Sequence, residues 1–169
     1  MISKFKNTFL IILLCLINAH CLASNKVPDT IYAFVTKVVD GDTIYIKHNK
    51  YGNIKVRLAE IDTPEKGQPF GKEATRALSK IISKKIVRLD KVTVDRYKRI
   101  VGKISYNKID INHYLVRNGY AWSYDKYNRR KEIKDAENLA RKEKIGLWSQ
   151  IDAPPIPPWK WREMSRQNE

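Results

Sequence analysis

Apolar and polar positions along the chain fall into short segments whose period changes twice. Ile31 to Val39 is rich in β-branched and aromatic residues and stops at Asp40-Gly41, which predicts a strand running into a turn. Thr43 to Lys47 predicts a second strand, Asn49 to Asn53 a turn, and Ile54 to Ile61 a third strand. Three strands joined by tight turns make a β-meander. Thr63-Pro64-Glu65 ends that pattern, because proline cannot continue a ladder, and Gly67, Pro69 and Gly71 mark a loop. From Lys72 the period becomes helical, with Ala74, Leu78, Ile81 and Ile82 on one face. Ile86 to Leu89 and Arg99 to Tyr106 predict two further strands. Asn112 is the expected N-cap of a short helix closing near Gly119, and Lys131 to Lys144 predicts a third helix.

This order predicts an α+β domain: a five-stranded Greek-key, OB-type β-barrel with three helices, spanning residues 24–150. A Pro/Trp-rich tail follows at 151–169. Its segment from Pro154 to Trp161 is expected to be extended and polyproline-like, to pack its tryptophans on the body and to carry no chemistry.

Ahead of the barrel, Lys4 and Lys6 precede an unbroken apolar run from Phe9 to Ile17, and Cys21-Leu22-Ala23 offers small side chains for a signal peptidase. Residues 1–23 therefore read as a signal peptide, in preference to an uncleaved anchor or a lipoprotein site at Cys21. The run is short for a bilayer span, which takes roughly 20 residues. The expectation is an exported protein, secreted or periplasmic, monomeric by default, with no membrane span once the leader is removed.

Composition narrows the chemistry. Both cysteines, Cys15 and Cys21, lie in the leader, so the body has neither disulfide nor thiolate. His48 and His113 are its only imidazoles, and nothing in the sequence pairs them. Zinc and Ser-His-Asp chemistry are disfavoured on that basis, and any metal must be held by oxygen. The chain carries 33 Lys and Arg against 18 Asp and Glu. That excess draws polyanions, nucleic acid above all, although anionic membranes and cell-wall polymers share the attraction.

Three acidic clusters give the charge a purpose: Asp40-Gly41-Asp42-Thr43, the stretch Arg57 to Glu65, and Asp95-Arg96-Tyr97-Lys98-Arg99. Taken singly they read as a hairpin turn, a Pro-initiated loop and a solvated charged hairpin. Taken together, an antiparallel meander can bring Asp42 at the start of the second strand beside Asp62 at the end of the third. Two carboxylates with a backbone carbonyl and waters suit Ca²⁺, which tolerates loose geometry, better than the stricter Mg²⁺. Arg57 and Arg99 are candidates to hold phosphoryl oxygens as charge develops on them. Glu65 is placed either to accept a proton from the attacking water or to orient it. One obstacle stands: Arg57 and Asp62 are five apart, so an unbroken strand would point them to opposite faces.

The ordered set Asp-Gly-Asp-Thr, Arg-Leu-x-x-x-Asp-Thr-Pro-Glu and Asp-Arg-Tyr-x-Arg resembles the staphylococcal nuclease, or thermonuclease, family from about Ile31 to Ser149. The resemblance implies Ca²⁺ ligation by Asp42, Asp62 and the Thr63 carbonyl with Asp40 in support, and catalysis by Arg57, Glu65 and Arg99. It implies endonucleolytic hydrolysis of single- or double-stranded DNA and RNA leaving 3′-phosphate ends, with Arg96 and Tyr97 touching a terminal phosphate. Lys98 departs from the pattern, which often has glycine there. Among the later aromatics Tyr120, Trp122, Tyr124 and Tyr127, the pair Tyr124 and Tyr127 are candidates to stack on a base. The alternative from another class is a non-catalytic OB-fold nucleic-acid-binding protein.

Overall fold

A computed structural model of the chain describes residues 26–149 and 154–167. The leader, and with it the expected cleavage after Ala23, lies outside the described residues. Among these, no helix is long and apolar enough to cross a membrane.

Five long strands close the barrel. β1 (Thr30–Val38), β2 (Thr43–His48) and β3 (Gly52–Leu58) form the expected antiparallel meander. β5 (Ile86–Val94) returns antiparallel to β1 and pairs with β6 (Ile100–Tyr106). A parallel pairing of β3 with β6, Val56 opposite Ile100 and Arg57 opposite Val101, completes the ring. Closure removes exposed ladder edges. Register shifts between Val35 and Lys37 and between Lys91 and Thr93 bend the strands, as bulges do where a sheet must curl.

Inside, alternate residues make one apolar core that includes Val35, Ile44, Ile46, Val56, Val87, Leu89 and Ile104. α1 (Gly71–Ile82) covers it with Ala74, Leu78 and Ile82, all fully buried. Each such Leu or Ile stabilises by about 2 kcal/mol on leaving water. α2 (Ile111–Arg117) and α3 (Lys131–Lys142) pack beside it. A second cluster of Trp122, Ala140, Leu147 and Trp148 gathers Phe70 and Trp159 around it.

Several boundaries depart from expectation for identifiable reasons. The third strand ends at Leu58, because Glu60 adopts φ 67° and turns the chain. Ile61–Asp62 then forms a separate short strand, β4, paired with β8 (Trp122–Ser123). Between these, β7 (Ile109–Asp110) extends the β6 hairpin. The N-cap of α2 is Asp110, whose side chain accepts the His113 N–H at 2.9 Å. Asn112 is instead fully buried. Its carboxamide accepts the Ile104 N–H and donates to the Ala59 carbonyl, tying the end of β3 to β6.

The tail is the main correction. Residues 158–167 are not extended but form a fourth α-helix among the described residues, α4 (Pro158–Gln167). Pro158 sits at its first position, where a missing N–H costs nothing.

Candidate active site

The residues between β1 and β2 and those after β3 meet at one end of the barrel. Asp42 follows Gly41, which has no positive φ among the described residues; its smallness serves proximity. A Cβ there would lie 2.7 Å from Thr63 Oγ1 and 2.9 Å from Ala74 Cβ. That close approach lets Asp42 Oδ2 accept both the Thr63 N–H and the Thr63 hydroxyl at 3.0 Å. Asp40 Oδ1 accepts the Asp42 N–H at 3.1 Å. Asp42, Asp62 and Thr63 are all buried, Asp62 to 1 % exposure.

Asp62 escapes the alternation obstacle because it is not on the strand that carries Arg57. The left-handed turn at Glu60 re-aims the chain, and the turn is pinned on two sides. Tyr124 donates its N–H to the Glu60 carbonyl, and Arg130 pairs with the Glu60 carboxylate as well as with Asp110. Arg57 Nη2 then stands 2.8 Å from Asp62 Oδ1 and 3.1 Å from Asp42 Oδ2, bridging two carboxylates that are twenty residues apart in sequence. Arg57 Nη1 donates to the Leu58 carbonyl.

A second guanidinium enters from the tail. Arg162 Nη2 lies 2.8 Å from Asp62 Oδ2, while its Nη1 lies 3.3 Å from Asp62 Oδ1 and 2.5 Å from Glu65 Oε1. Glu65 is thereby joined to the cluster. Trp161, Arg162, Ser165 and Arg166 face Glu65 across an open cleft of about 380 Å³.

Electrostatically the site is short of positive charge. Burial, then the neighbouring Asp42 carboxylate, pushes Asp40 up to about 6. Burial also raises Asp62, against the pull of Arg162 and Arg57. Four carboxylates, Asp40, Asp42, Asp62 and Glu65, stand against two contacting guanidiniums, Arg57 and Arg162. Among the described residues no three His, Cys, Asp or Glu side chains form a ready metal cage. What the site offers is two buried carboxylates, a neighbouring backbone carbonyl and an unbalanced negative charge. That is the donor chemistry of a hard, oxygen-seeking divalent cation completed by water.

The side chains of the third predicted cluster bond within that cluster. Asp95 closes the β5–β6 hairpin by accepting the Tyr97 and Arg99 N–H groups at 2.9 Å, and it holds the Arg99 Nε at 2.7 Å. The Arg99 guanidinium lies over the Tyr97 ring, as does that of Arg96, whose Nη2 also reaches the Tyr97 hydroxyl at 2.7 Å. Arg99 makes no ion pair with Asp42, Asp62 or Glu65 here. It is held by Asp95, one residue before the β6 segment that pairs with β3. Lys98, where glycine was the expected pattern, has φ 61°.

Tyr124 stacks face to face on Trp159 at 5.4 Å and 5°, and Tyr127 meets Tyr124 edge-on at 4.9 Å. Tyr127 is 56 % exposed, so its ring has free surface.

Comparison with known proteins identifies the family. A family model described as "Staphylococcal nuclease homologue" matches residues 55–150. A protein of Escherichia coli named "Uncharacterized endonuclease" is 38 % identical over 133 residues, covering 78 % of this chain and 85 % of that one. A Haemophilus influenzae protein of the same name is 40 % identical over 134 residues, covering 79 % and 74 %. A Shigella flexneri protein named "Micrococcal nuclease" is 36 % identical over 143 residues, covering 78 % and 80 %.

Proposed function

The chain belongs to the staphylococcal nuclease family, and from that premise we propose that it is a Ca²⁺-dependent endonuclease hydrolysing phosphodiester bonds in DNA and RNA and leaving 3′-phosphate ends. The observation that carries this reading is the convergence of Asp42 and Asp62 on Arg57, with Glu65 three residues beyond Asp62 at the mouth of the same site.

The Asp42 and Asp62 carboxylates and the Thr63 carbonyl would hold the cation, with Asp40 in support; Mg²⁺, which asks for stricter octahedral geometry, fits less well. Bound there, a divalent cation supplies charge stabilisation to a phosphoryl oxygen. Arg57, aimed by its two carboxylates, donates its remaining N–H groups to the charge that builds on the phosphoryl group. Arg99 serves as the second guanidinium, turning from Asp95 toward the phosphate, with Arg96 and Tyr97 beside it. Glu65, only half withdrawn from solvent, takes a proton from the attacking water or holds that water in line. These groups engage phosphate and not base edges, so sequence preference should be weak. The apolar leader supports export, to the periplasm or the medium.

Incubation of supercoiled plasmid and of RNA with the purified protein, first with Ca²⁺ and then with excess chelator, tests the reading. Cleavage in Ca²⁺ alone, with 3′-phosphate ends found by end-labelling before and after phosphatase, is expected. Nucleic-acid binding without cleavage under any divalent ion would leave a binding barrel in its place.

A further inference from the structure

The Pro/Trp-rich tail is absent from the three motifs that define the catalytic reading, and its sequence gives it no role. Yet the chain anchors it with side chains of very different kinds. Pro158 is buried. Trp159 joins the cluster of Trp122, Ala140, Leu147 and Trp148 and stacks on Tyr124. Before the helix, the Ile156 carbonyl accepts the Gln68 side-chain Nε2 at 2.6 Å.

Gln68 is what makes this more than packing. It is 6 % exposed, and its other amide atom, Oε1, accepts the Glu65 N–H at 3.0 Å. The Gln68 N–H in turn donates to the Glu65 carbonyl at 2.9 Å. One buried carboxamide therefore spans from the tail to the backbone of Glu65. From the other side, Arg162 reaches the Glu65 carboxylate and both oxygens of Asp62. Gly71 shows how tightly the same loop is seated, since a Cβ there would fall 2.0 Å from the Glu65 carbonyl oxygen.

We propose that the C-terminal segment is a working part of the active site, in which Arg162 is a positioning residue for Glu65, with Gln68 and the Ile156 carbonyl as a second tether on the same loop. The proposal rests on the phosphodiesterase reading and deepens it. Glu65 sits on a loop between a proline and a helix, and among the described residues no other side chain bonds its carboxylate. A planar fork that binds Glu65 and Asp62 together fixes the separation between the water-handling carboxylate and a cation-site carboxylate, the distance on which in-line attack depends. A lysine, with a point charge and no fork, can replace the charge but not that geometry.

The test compares the full chain with Arg162→Ala, Arg162→Lys and Gln68→Ala. Each is followed by kcat and KM on a short oligonucleotide, by thermal unfolding, and by amide hydrogen exchange at Gln68 and Gly71. Arg162→Ala is expected to lower kcat by about 10- to 100-fold with KM within about twofold, as loss of a supporting contact to a reactive group does. Arg162→Lys should recover part of that loss, and exchange at Gln68 and Gly71 should quicken in both Arg162→Ala and Gln68→Ala. A rate for Arg162→Ala equal to or above that of the parent chain overturns the proposal, the faster result marking the tail as an inhibitory plug. Unchanged exchange at the two amides overturns it independently of cleavage. If the parent chain cleaves nothing, the phosphodiesterase reading fails, while the exchange result still decides whether Arg162 holds the loop.

Discussion

Arg57 Nη2 lies 2.8 Å from Asp62 Oδ1 although a strand end and a left-handed turn separate the two residues. The Asp62 side chain is only 2 % exposed, and Arg57 is also within 3.1 Å of Asp42. Removing the guanidinium strands buried charge, whose desolvation is no longer offset. Arg57→Ala should lower unfolding stability by about 3 kcal/mol, seen as a shift of the urea midpoint at constant slope. Arg57→Lys should keep most of that stability and still cleave at least about 100-fold more slowly, because only the fork can serve carboxylates and a phosphoryl group together. A fast Arg57→Lys enzyme would remove the fork from the mechanism.

Asp40 gives the site a pH signature. Its carboxyl is raised from 3.8 to about 6, first by burial and then by Asp42. Between those values the folded protein holds a proton that the unfolded chain has released. Stability is therefore favoured at low pH by this group and declines as pH rises toward about 6, the reverse of a salt-bridged aspartate. Asp62 shifts the same way through burial. Asp40→Asn should remove this decline, becoming about 2 kcal/mol more stable than the parent chain at pH 7 and nearly equal to it at pH 4. Thermal unfolding of the two chains in chelator across that range makes the comparison. Parallel profiles would mean that the carboxylates are not crowded.

How much of this could be read from residues alone follows from which forces are local. The meander was legible because alternation and Asp-Gly turns report on neighbouring residues, and α1 because a helical stripe does too. Asp42 and Asp62 could be paired because meander topology fixes which strand ends are adjacent. The break that brings Arg57 and Asp62 together was not legible: Glu60 is an ordinary residue in a left-handed turn that is held by Arg130 and by the Tyr124 N–H, from 64 to 70 residues away. Asn112 looked like a cap because the same side chain serves equally well buried between Ile104 and Ala59. The helix in the tail was hidden behind its prolines, which do mark a first helical position, and Arg162 behind the expectation that a proline-rich ending only packs. The available signal was a basic residue three after Trp159, a tryptophan that packs, partly buried, against Trp122 and Trp148.

Lys98 supplies a test of backbone strain. At φ 61° its Cβ crowds its own carbonyl, a cost of roughly 1 kcal/mol that glycine does not bear. Lys98→Gly should therefore match or exceed the parent stability by up to about 1 kcal/mol, in spite of the freedom glycine adds to the unfolded chain. A mid-helix glycine substitution would do the opposite. A clear loss of stability in Lys98→Gly would show that the lysine side chain contributes more than its strained backbone costs.

The Asp95–Arg99 pair separates holding from reacting. Desolvation is the largest single influence on the Asp95 carboxyl and raises it, but the Arg99 N–H and guanidinium and the Tyr97 N–H together outweigh it and hold the group below the ordinary carboxylate range. Its contribution to stability is present above about pH 4 and lost as pH falls through the depressed value. Both side chains are partly exposed, at 25 % for Arg99 and 19 % for Asp95, so the pair is worth only about 1 kcal/mol. Asp95→Ala should cost that much at pH 7, and the difference from the parent chain should shrink toward pH 3. Arg99→Ala should cost no more in stability, yet suppress cleavage at least about 100-fold, because a guanidinium that serves the transition state is missed there far more than in the fold. Should the two variants lose activity in proportion to their small loss of stability, Arg99 would be a hairpin clamp, and the second guanidinium of the reaction would have to be sought at Arg162.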